Sequence, residues 1–163
     1  MNEFKTGAIV VALDWSTAGQ TALCWAVEEA ARVHRRVLVV HVLDAVGEAS
    51  GGEPDRADPL YEAFRLAHEC FSEHQEGHRP IGLAVQTRTG SLLDELHQIA
   101  AGAAMVVLGR SQDPAHASLA EDLASKVSCP VVVVRPDRTA FPVQPRAPAP
   151  CQPETRVNAV GTV

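Results

Sequence analysis

Two short, wholly apolar runs in the second half of the chain constrain its fold more than any other feature. The first spans residues 105–108 and ends at Gly109, and the second, residues 131–134, follows after a segment with helical spacing. Short runs without polar alternation are typical of strands buried on both faces. Two parallel strands joined by a helix form a right-handed unit, and ligands usually bind where the first strand meets the helix. We therefore expect residues 109–118 to form much of any site.

The preceding residues repeat this alternation of strand and helix. Apolar residues at three- and four-residue spacing predict helices, and two Asp-Pro pairs, Asp58-Pro59 and Asp113-Pro114, are typical helix starts. We expect further strands at residues 8–13, 36–42 and 81–87 and helices at about 19–34, 59–76, 92–101 and from 114. Ser16 or Thr17 is expected to cap the first helix, with Thr17 and Gln20 matching a capping box. This order predicts an α/β fold with a five-stranded parallel, doubly wound sheet and helices on both faces.

Composition narrows the class of protein. Of 163 residues 46% are hydrophobic, enough for a core, but no apolar run approaches the roughly 20 residues of a membrane span. The net charge of −6 without a basic cluster argues against a nucleic-acid partner. The first residues lack the pattern of an export signal, so we expect a cytoplasmic protein without membrane partners. We assign residues 1–138 to one domain and residues 139–163, which contain five prolines between 142 and 153, to a disordered tail.

The four cysteines are scattered along the chain. Without a C-x-x-C pair they indicate neither a disulfide framework nor a zinc ribbon, and we expect Cys24, Cys70 and Cys129 to be small core residues in a reducing compartment. Cys70, His74 and His78 have four-residue spacing, which could place metal ligands on one helix face. Because Gly77 is expected to end that helix first, we predict no metal site.

Several segments together resemble the universal stress protein family. The first half of that family is similar to residues 9–16, the alanine-rich residues 25–31 and residues 39–42. Its second half is similar to Gly90, residues 106–109 and residues 118–135. The resemblance covers residues 8–135 and implies a Rossmann-like fold of the adenine nucleotide alpha-hydrolase type. It also implies a homodimer, and ATP as a possible but not required ligand.

The resemblance is incomplete in the loop that would hold phosphate. ATP-binding members carry Gly-x2-Gly-x9-Gly-Ser/Thr after the fourth strand, an Asp after the first and a Val at the end of the second. Asp14, Val42 and Gly109 match, and Ser118 stands at the final position. However, Gln112 replaces the second glycine and Ala117 replaces the third. Only four residues separate these two positions, where the motif has nine.

This departure predicts weak or lost nucleotide binding. A phosphate loop needs backbone N–H groups directed at the anion without intervening side chains. If Asp113 caps the fourth helix, its carboxylate occupies the amides that phosphate needs. Hydrogen bonds to charged groups contribute roughly 1.5 to 3 kcal/mol each. Losing two of these hydrogen bonds weakens nucleotide binding by roughly a hundredfold or more. Arg110 could restore part of the lost affinity by contacting a phosphate.

Single candidate residues also have structural interpretations. Asp14 could bind a base or ribose, or could only end a strand before a capped helix. Ser118 could bind phosphate or be a small residue in a helix turn. His41, within an apolar strand, is expected to be a hydrogen-bonded core residue.

The sequence contains no motif of a catalytic nucleophile, a Walker loop or paired carboxylates, so we do not expect an enzyme. We predict a dimeric regulatory or interaction module in stress response with an unknown protein partner. The alternative is an ATP-binding sensor that uses Asp14, Val42, Gly109, Arg110 and Ser118. The last strand should lie at a sheet edge and pair with its copy in a second chain. The dimer interface would then comprise Val131, Val132, Val133 and Val134.

Overall fold

The computed structural model describes residues 6–14, 16–43, 59–73, 81–110 and 114–145, and its elements alternate as the sequence predicts. The four helices are α1 (Thr17–Val33), α2 (Pro59–Glu73), α3 (Leu92–Ala100) and α4 (Pro114–Lys126). The six strands are β1 (Ile9–Ala12), β2 (Val37–Leu43), β3 (Leu83–Thr89), β4 (Met105–Gly109), β5 (Val131–Val134) and β6 (Ala140–Pro142).

The strands form one sheet in the order β3-β2-β1-β4-β5-β6. All pairs among the first five strands are parallel, which confirms the predicted doubly wound α/β architecture. The sixth strand pairs antiparallel with β5, with Val133 opposite Phe141. The expectation that residues 131–134 form the sheet edge is therefore wrong, because residues of the same chain cover that edge.

A hydrophobic core lies on each face of the sheet. Alternate residues of each strand point to opposite faces, so Val132 and Val134 join the core beneath α1 and α2, while Val131 and Val133 join the core beneath α3 and α4. All four valines are buried. Because both faces of β4 and β5 are covered, these strands need the continuous apolar runs seen in the sequence.

The helix starts follow the proline and capping signals. Both α2 and α4 begin at the predicted prolines, Pro59 and Pro114. In α1 the cap is Ser16, whose Oγ accepts a hydrogen bond from the Gly19 N–H at 3.1 Å. Thr17 is already the first helical residue, so the capping box that assigned Thr17 as cap is wrong. The proposed cap of α4, Asp113, lies outside the described residues.

The segment assigned to a disordered tail begins inside the folded domain. Residues 140–142 form β6, and the Val143 N–H donates to the Val131 carbonyl at 2.8 Å. Phe141 packs partly into the core beneath α3 and α4. The prediction that residues 139–163 are disordered is thus wrong for its first residues, and residues 146–163 lie outside the described part of the chain.

Cys24 on α1 and Cys70 on α2 form a disulfide, with their Cα atoms 5.1 Å apart. The prediction that both are free thiols is wrong. The composition could not reveal this pair, because 46 residues separate the cysteines in sequence and the packing of α1 on α2 brings them together. None of the helices in the described ranges has the length and apolar character to cross a membrane.

Candidate functional site

The candidate site lies at the carboxyl ends of β1, β2 and β4, where the strand order reverses. Open parallel sheets bind ligands at this topological position. A cavity of about 90 Å³ opens here. Its lining comes from three strand ends, the first turn of α3 and the second turn of α4: Ala12, Leu13, Asp14, His41, Val42, Leu92, Leu108, Gly109 and Leu119. Typical small-molecule pockets have volumes of about 300 to 1,000 Å³, so this cavity is small for a nucleotide.

Asp14 lines the cavity, but one of its oxygens belongs to a local turn. Oδ1 accepts the Ser16 N–H at 3.1 Å and also the Ser16 hydroxyl. The Ser16 Oγ in turn accepts the Gly19 N–H. Asp14 therefore supports the cap of α1, as its structural interpretation predicts, while its exposed side chain also lines the cavity.

Val42 and His41 occupy the end of β2. Val42 lines the cavity and packs against the core beneath α3 and α4, where its apolar side chain could contact a base. His41 is 9% exposed, and its Nδ1 lies 3.0 Å from the Leu13 carbonyl oxygen, which accepts a hydrogen bond in the tautomer with a proton on Nδ1. The predicted hydrogen-bonded core histidine is confirmed, and the bond joins the ends of β1 and β2.

Gly109 has a packing role that the sequence motif does not indicate. A Cβ atom at this position would lie 2.5 Å from the carbonyl carbon and oxygen of Ala18 and 2.7 Å from the backbone nitrogen of Gly19. Backbone atoms of α1 cannot yield as a flexible side chain can. The absence of a side chain at Gly109 therefore lets the start of α1 approach the end of β4, with or without a ligand.

Arg110 and Ser118 stand apart from the cavity lining. The Arg110 backbone N–H donates to the Val134 carbonyl at 2.8 Å, and its guanidinium lies 6.0 Å from the centre of the Phe141 ring. Ser118 is half-buried, and its hydroxyl lies 3.4 Å from Asp122 Oδ2 on the next turn of α4. Of the five predicted binding residues, the structure thus brings together Asp14, Val42 and Gly109.

The sequence reasoning missed the cavity walls. Leu92 in the first turn of α3 and Leu119 in the second turn of α4 are ordinary apolar residues, and only the topology reveals that both turns border the same strand ends. Phe141 was missed because it lies in the segment assigned to the tail.

Other reactive side chains lie away from the cavity. Burial raises the pKa of the Cys129 thiol, and its Sγ lies 3.9 Å from the Ala100 carbonyl oxygen. A thiol with a raised pKa is a poor nucleophile. Cys70 is bonded to Cys24, and among the described residues no group of three His, Cys, Asp or Glu residues could hold a metal ion. His74 and His78 lie outside those residues.

The profile of the universal stress protein family matches residues 5–135. The chain belongs to the universal stress protein family. Two universal stress proteins of Mycobacterium tuberculosis are 30% identical to it, one over 139 and one over 141 residues, covering 79% and 82% of this chain. The alignments cover 48% and 50% of those relatives, so this universal stress protein domain spans about half their length.

Solved structures agree with this assignment. A universal stress protein family member from Burkholderia pseudomallei is 28% identical with a TM-score of 0.52, covering 80% of this chain and 96% of its own. The Archaeoglobus fulgidus universal stress protein in complex with dAMP is 25% identical with a TM-score of 0.52, covering 79% of this chain and 98% of its own. The predicted family and fold are thereby confirmed.

Proposed function

We propose that this universal stress protein is a non-catalytic regulatory module of the stress response that binds adenine nucleotides only weakly. The size of the cavity is the main support, since about 90 Å³ is well below the volume of an ordinary ligand pocket. Two contacts next to the cavity also support weak nucleotide binding. Gly109 is committed to packing against α1, and the Gly19 N–H, one of the first amides of that helix, is already bonded to Ser16.

The alternative is an ATP-binding sensor with a shortened phosphate loop. Its support is the relative from Archaeoglobus fulgidus, which was solved with dAMP, together with the retention of Asp14, Val42 and Gly109 at the cavity. A monophosphate needs fewer phosphate contacts than a triphosphate, so a shortened loop disfavours ATP more than a mononucleotide. We favour weak binding because the chain has five fewer residues in the motif that supplies the phosphate-binding amides.

Titration calorimetry with Mg-ATP tests the proposal. If a micromolar site loses two charge-assisted hydrogen bonds, its dissociation constant rises to about 100 µM or above. We therefore expect a dissociation constant for Mg-ATP in or beyond this range, and a value for AMP that is similar or lower.

Val42→Phe provides the matched control, because it fills the cavity without changing the charge. It should abolish any weak binding that the cavity supports. A micromolar dissociation constant for Mg-ATP that Val42→Phe removes would establish the ATP-sensor alternative instead.

We also propose a homodimer that pairs through β5, and this pairing requires β6 to separate from β5 first. The Arg135 N–H donates to the Thr139 carbonyl and the Val143 N–H donates to the Val131 carbonyl, so Ala140 and Pro142 direct their backbone groups away from β5. Because proline has no N–H, this outer edge is a poor template for another strand. Pairing through residues 131–134 therefore requires β6 to leave β5.

Light scattering on two shortened chains tests this dimer. A chain that ends at Arg138 lacks β6 and should have the mass of two copies, whereas a chain that ends at Pro145 keeps β6 and should contain fewer dimers. The mass of one chain is 17.4 kDa at full length. Two monomeric products would refute pairing through β5. We still propose the cytoplasm as the location, although a disulfide such as Cys24–Cys70 is rare in that reducing compartment, and an unidentified regulatory protein as the partner.

A further inference from the structure

The disulfide between Cys24 and Cys70 lies on the face of the sheet opposite the helices that wall the cavity. Cys24 is on α1 and Cys70 is on α2, and both contribute to the core beneath those two helices. The helices that wall the cavity, α3 and α4, cover the other face. The chemistry of this bond is therefore separate from the candidate nucleotide site.

The two cysteines differ in their exposure to solvent. Cys70 is 2% exposed and shares the buried stripe of α2 with Ala63 and Ala67. Cys24 is half-buried, as is its neighbour Trp25 on α1. Cys24 thus lies at the rim of the contact between the two helices, whereas Cys70 lies inside that contact.

This difference gives thiol–disulfide exchange a direction. An external thiolate opens a disulfide by attacking one of its sulfur atoms, and access decides which sulfur it attacks. Attack on the sulfur of Cys70 would require a path through the core, so an external thiol reaches the sulfur of Cys24. Cys70 then leaves as a thiolate and takes up a proton, and Cys24 carries a mixed disulfide.

The fold keeps the two cysteines together when the bond is open. Ala63 and Ala67 of α2 remain buried in the core that α1 shares, and the Cα atoms of the two cysteines are 5.1 Å apart. That separation is within the range of about 4.4 to 6.8 Å in which cysteines can bond without backbone movement. Closure is then a reaction between two held groups, which is faster than a reaction between separate molecules.

We propose that Cys24 and Cys70 form a reversible redox site that exchanges with low-molecular-weight thiols. In oxidation, the Cys24 thiolate attacks the disulfide of an oxidised thiol, forms a mixed disulfide and releases one reduced thiol. The Cys70 thiolate then attacks the Cys24 sulfur and expels the second reduced thiol. Two protein thiols are oxidised while one external disulfide is reduced to two thiols. Reduction of the protein follows the same steps in reverse.

The proposed cytoplasmic location makes a reversible bond more useful than a permanent one. Disulfides in that compartment, where they occur, are usually transient and serve catalysis or redox sensing. The biological role of the site rests on that proposed location. The exchange itself goes beyond weak nucleotide binding, because it involves no residue of the cavity.

Opening of the bond in the native full chain tests the access of external thiols. Reduced glutathione is added at increasing concentrations, and the free thiols are counted by mass spectrometry after alkylation. We expect the opening rate to rise in proportion to the glutathione concentration and to be unchanged by urea below the unfolding transition, because the folded protein reacts. A rate that is independent of glutathione, or that rises steeply with such urea, would show that only unfolded chains react and would overturn the proposal.

Two single variants test the direction of the exchange. Both are made in the background Cys129→Ser/Cys151→Ser, which removes the other two cysteines. In oxidised glutathione, Cys70→Ala should gain glutathione on Cys24 at least about ten times faster than Cys24→Ala gains it on Cys70, because only Cys24 is accessible. The intact pair in the same background should close its disulfide without a lasting adduct.

Equal rates in the two variants, or a faster reaction at Cys70, would overturn the direction and with it the proposal. Circular dichroism establishes that each variant is folded. The opening kinetics of the intact chain need no substitution, so they decide the proposal if a variant fails to fold. A micromolar dissociation constant for Mg-ATP would contradict the proposed weak nucleotide binding and would leave this exchange unaffected.

Discussion

Reduction of the disulfide between Cys24 and Cys70 should lower the free energy of unfolding by about 4 kcal/mol. The bond closes a loop between residues that are 46 positions apart. Breaking it increases the conformational freedom of the unfolded chain, and this effect grows with the length of the loop. The folded chain should keep its shape, because Cys70 is buried and the contact between α1 and α2 also involves Ala63 and Ala67.

Urea denaturation with and without a reducing agent measures this change. The double variant Cys24→Ala/Cys70→Ala should match the reduced protein to within about 1 kcal/mol and should not respond to the reducing agent. Cys129→Ser should keep the full response, because Cys129 is a free thiol. If the original protein unfolds at the same urea concentration in both conditions, the disulfide does not form in solution.

Gly109→Ala should lower the free energy of unfolding by about 2 to 3 kcal/mol in the absence of any nucleotide. Overpacking of a close contact typically costs about 1 to 3 kcal/mol. The upper part of this range applies because the new methyl group would meet backbone atoms of Ala18 at 2.5 Å. Separation of β4 from α1 would relieve this contact, and it would also open the end of the cavity.

This variant distinguishes packing from ligand binding. If Gly109 served only to let phosphate approach, the substitution would leave unliganded stability unchanged and affect only nucleotide affinity. Urea denaturation of the nucleotide-free protein separates the two possibilities. Ser128→Ala, an exposed change outside the helices and strands, should shift stability by less than about 0.5 kcal/mol and serves as the control.

Local patterns were sufficient to predict the five parallel strands and four helices. Apolar runs located the buried strands, and Pro59 and Pro114 marked two helix starts to the residue. The sixth strand was not predicted, because a short segment that contains Pro142 resembles a disordered tail. In the folded protein Pro142 is compatible with a strand, since its missing N–H would point away from β5.

The site was predictable only where its residues follow strands. Asp14, Val42 and Gly109 end three strands that are separated in sequence but meet at one sheet edge. Arg110 was predicted to be a possible phosphate contact, but its position beside Phe141 was not predictable, because it depends on the pairing of β4 with β5 and of β5 with β6. The disulfide was missed for a similar reason, since no local pattern indicates how α1 packs on α2.

The antiparallel direction of β6 determines at which end of the sheet the described part of the chain stops, at Pro145. Val143 lies beside Val131, at the amino end of β5, whereas the cavity lies at the opposite end of the parallel strands. A fluorescent label or fusion partner joined after Pro145 would therefore start its path on the side of the sheet remote from the cavity. Immobilisation through that end is the natural way to present the protein to ligands without covering their entrance.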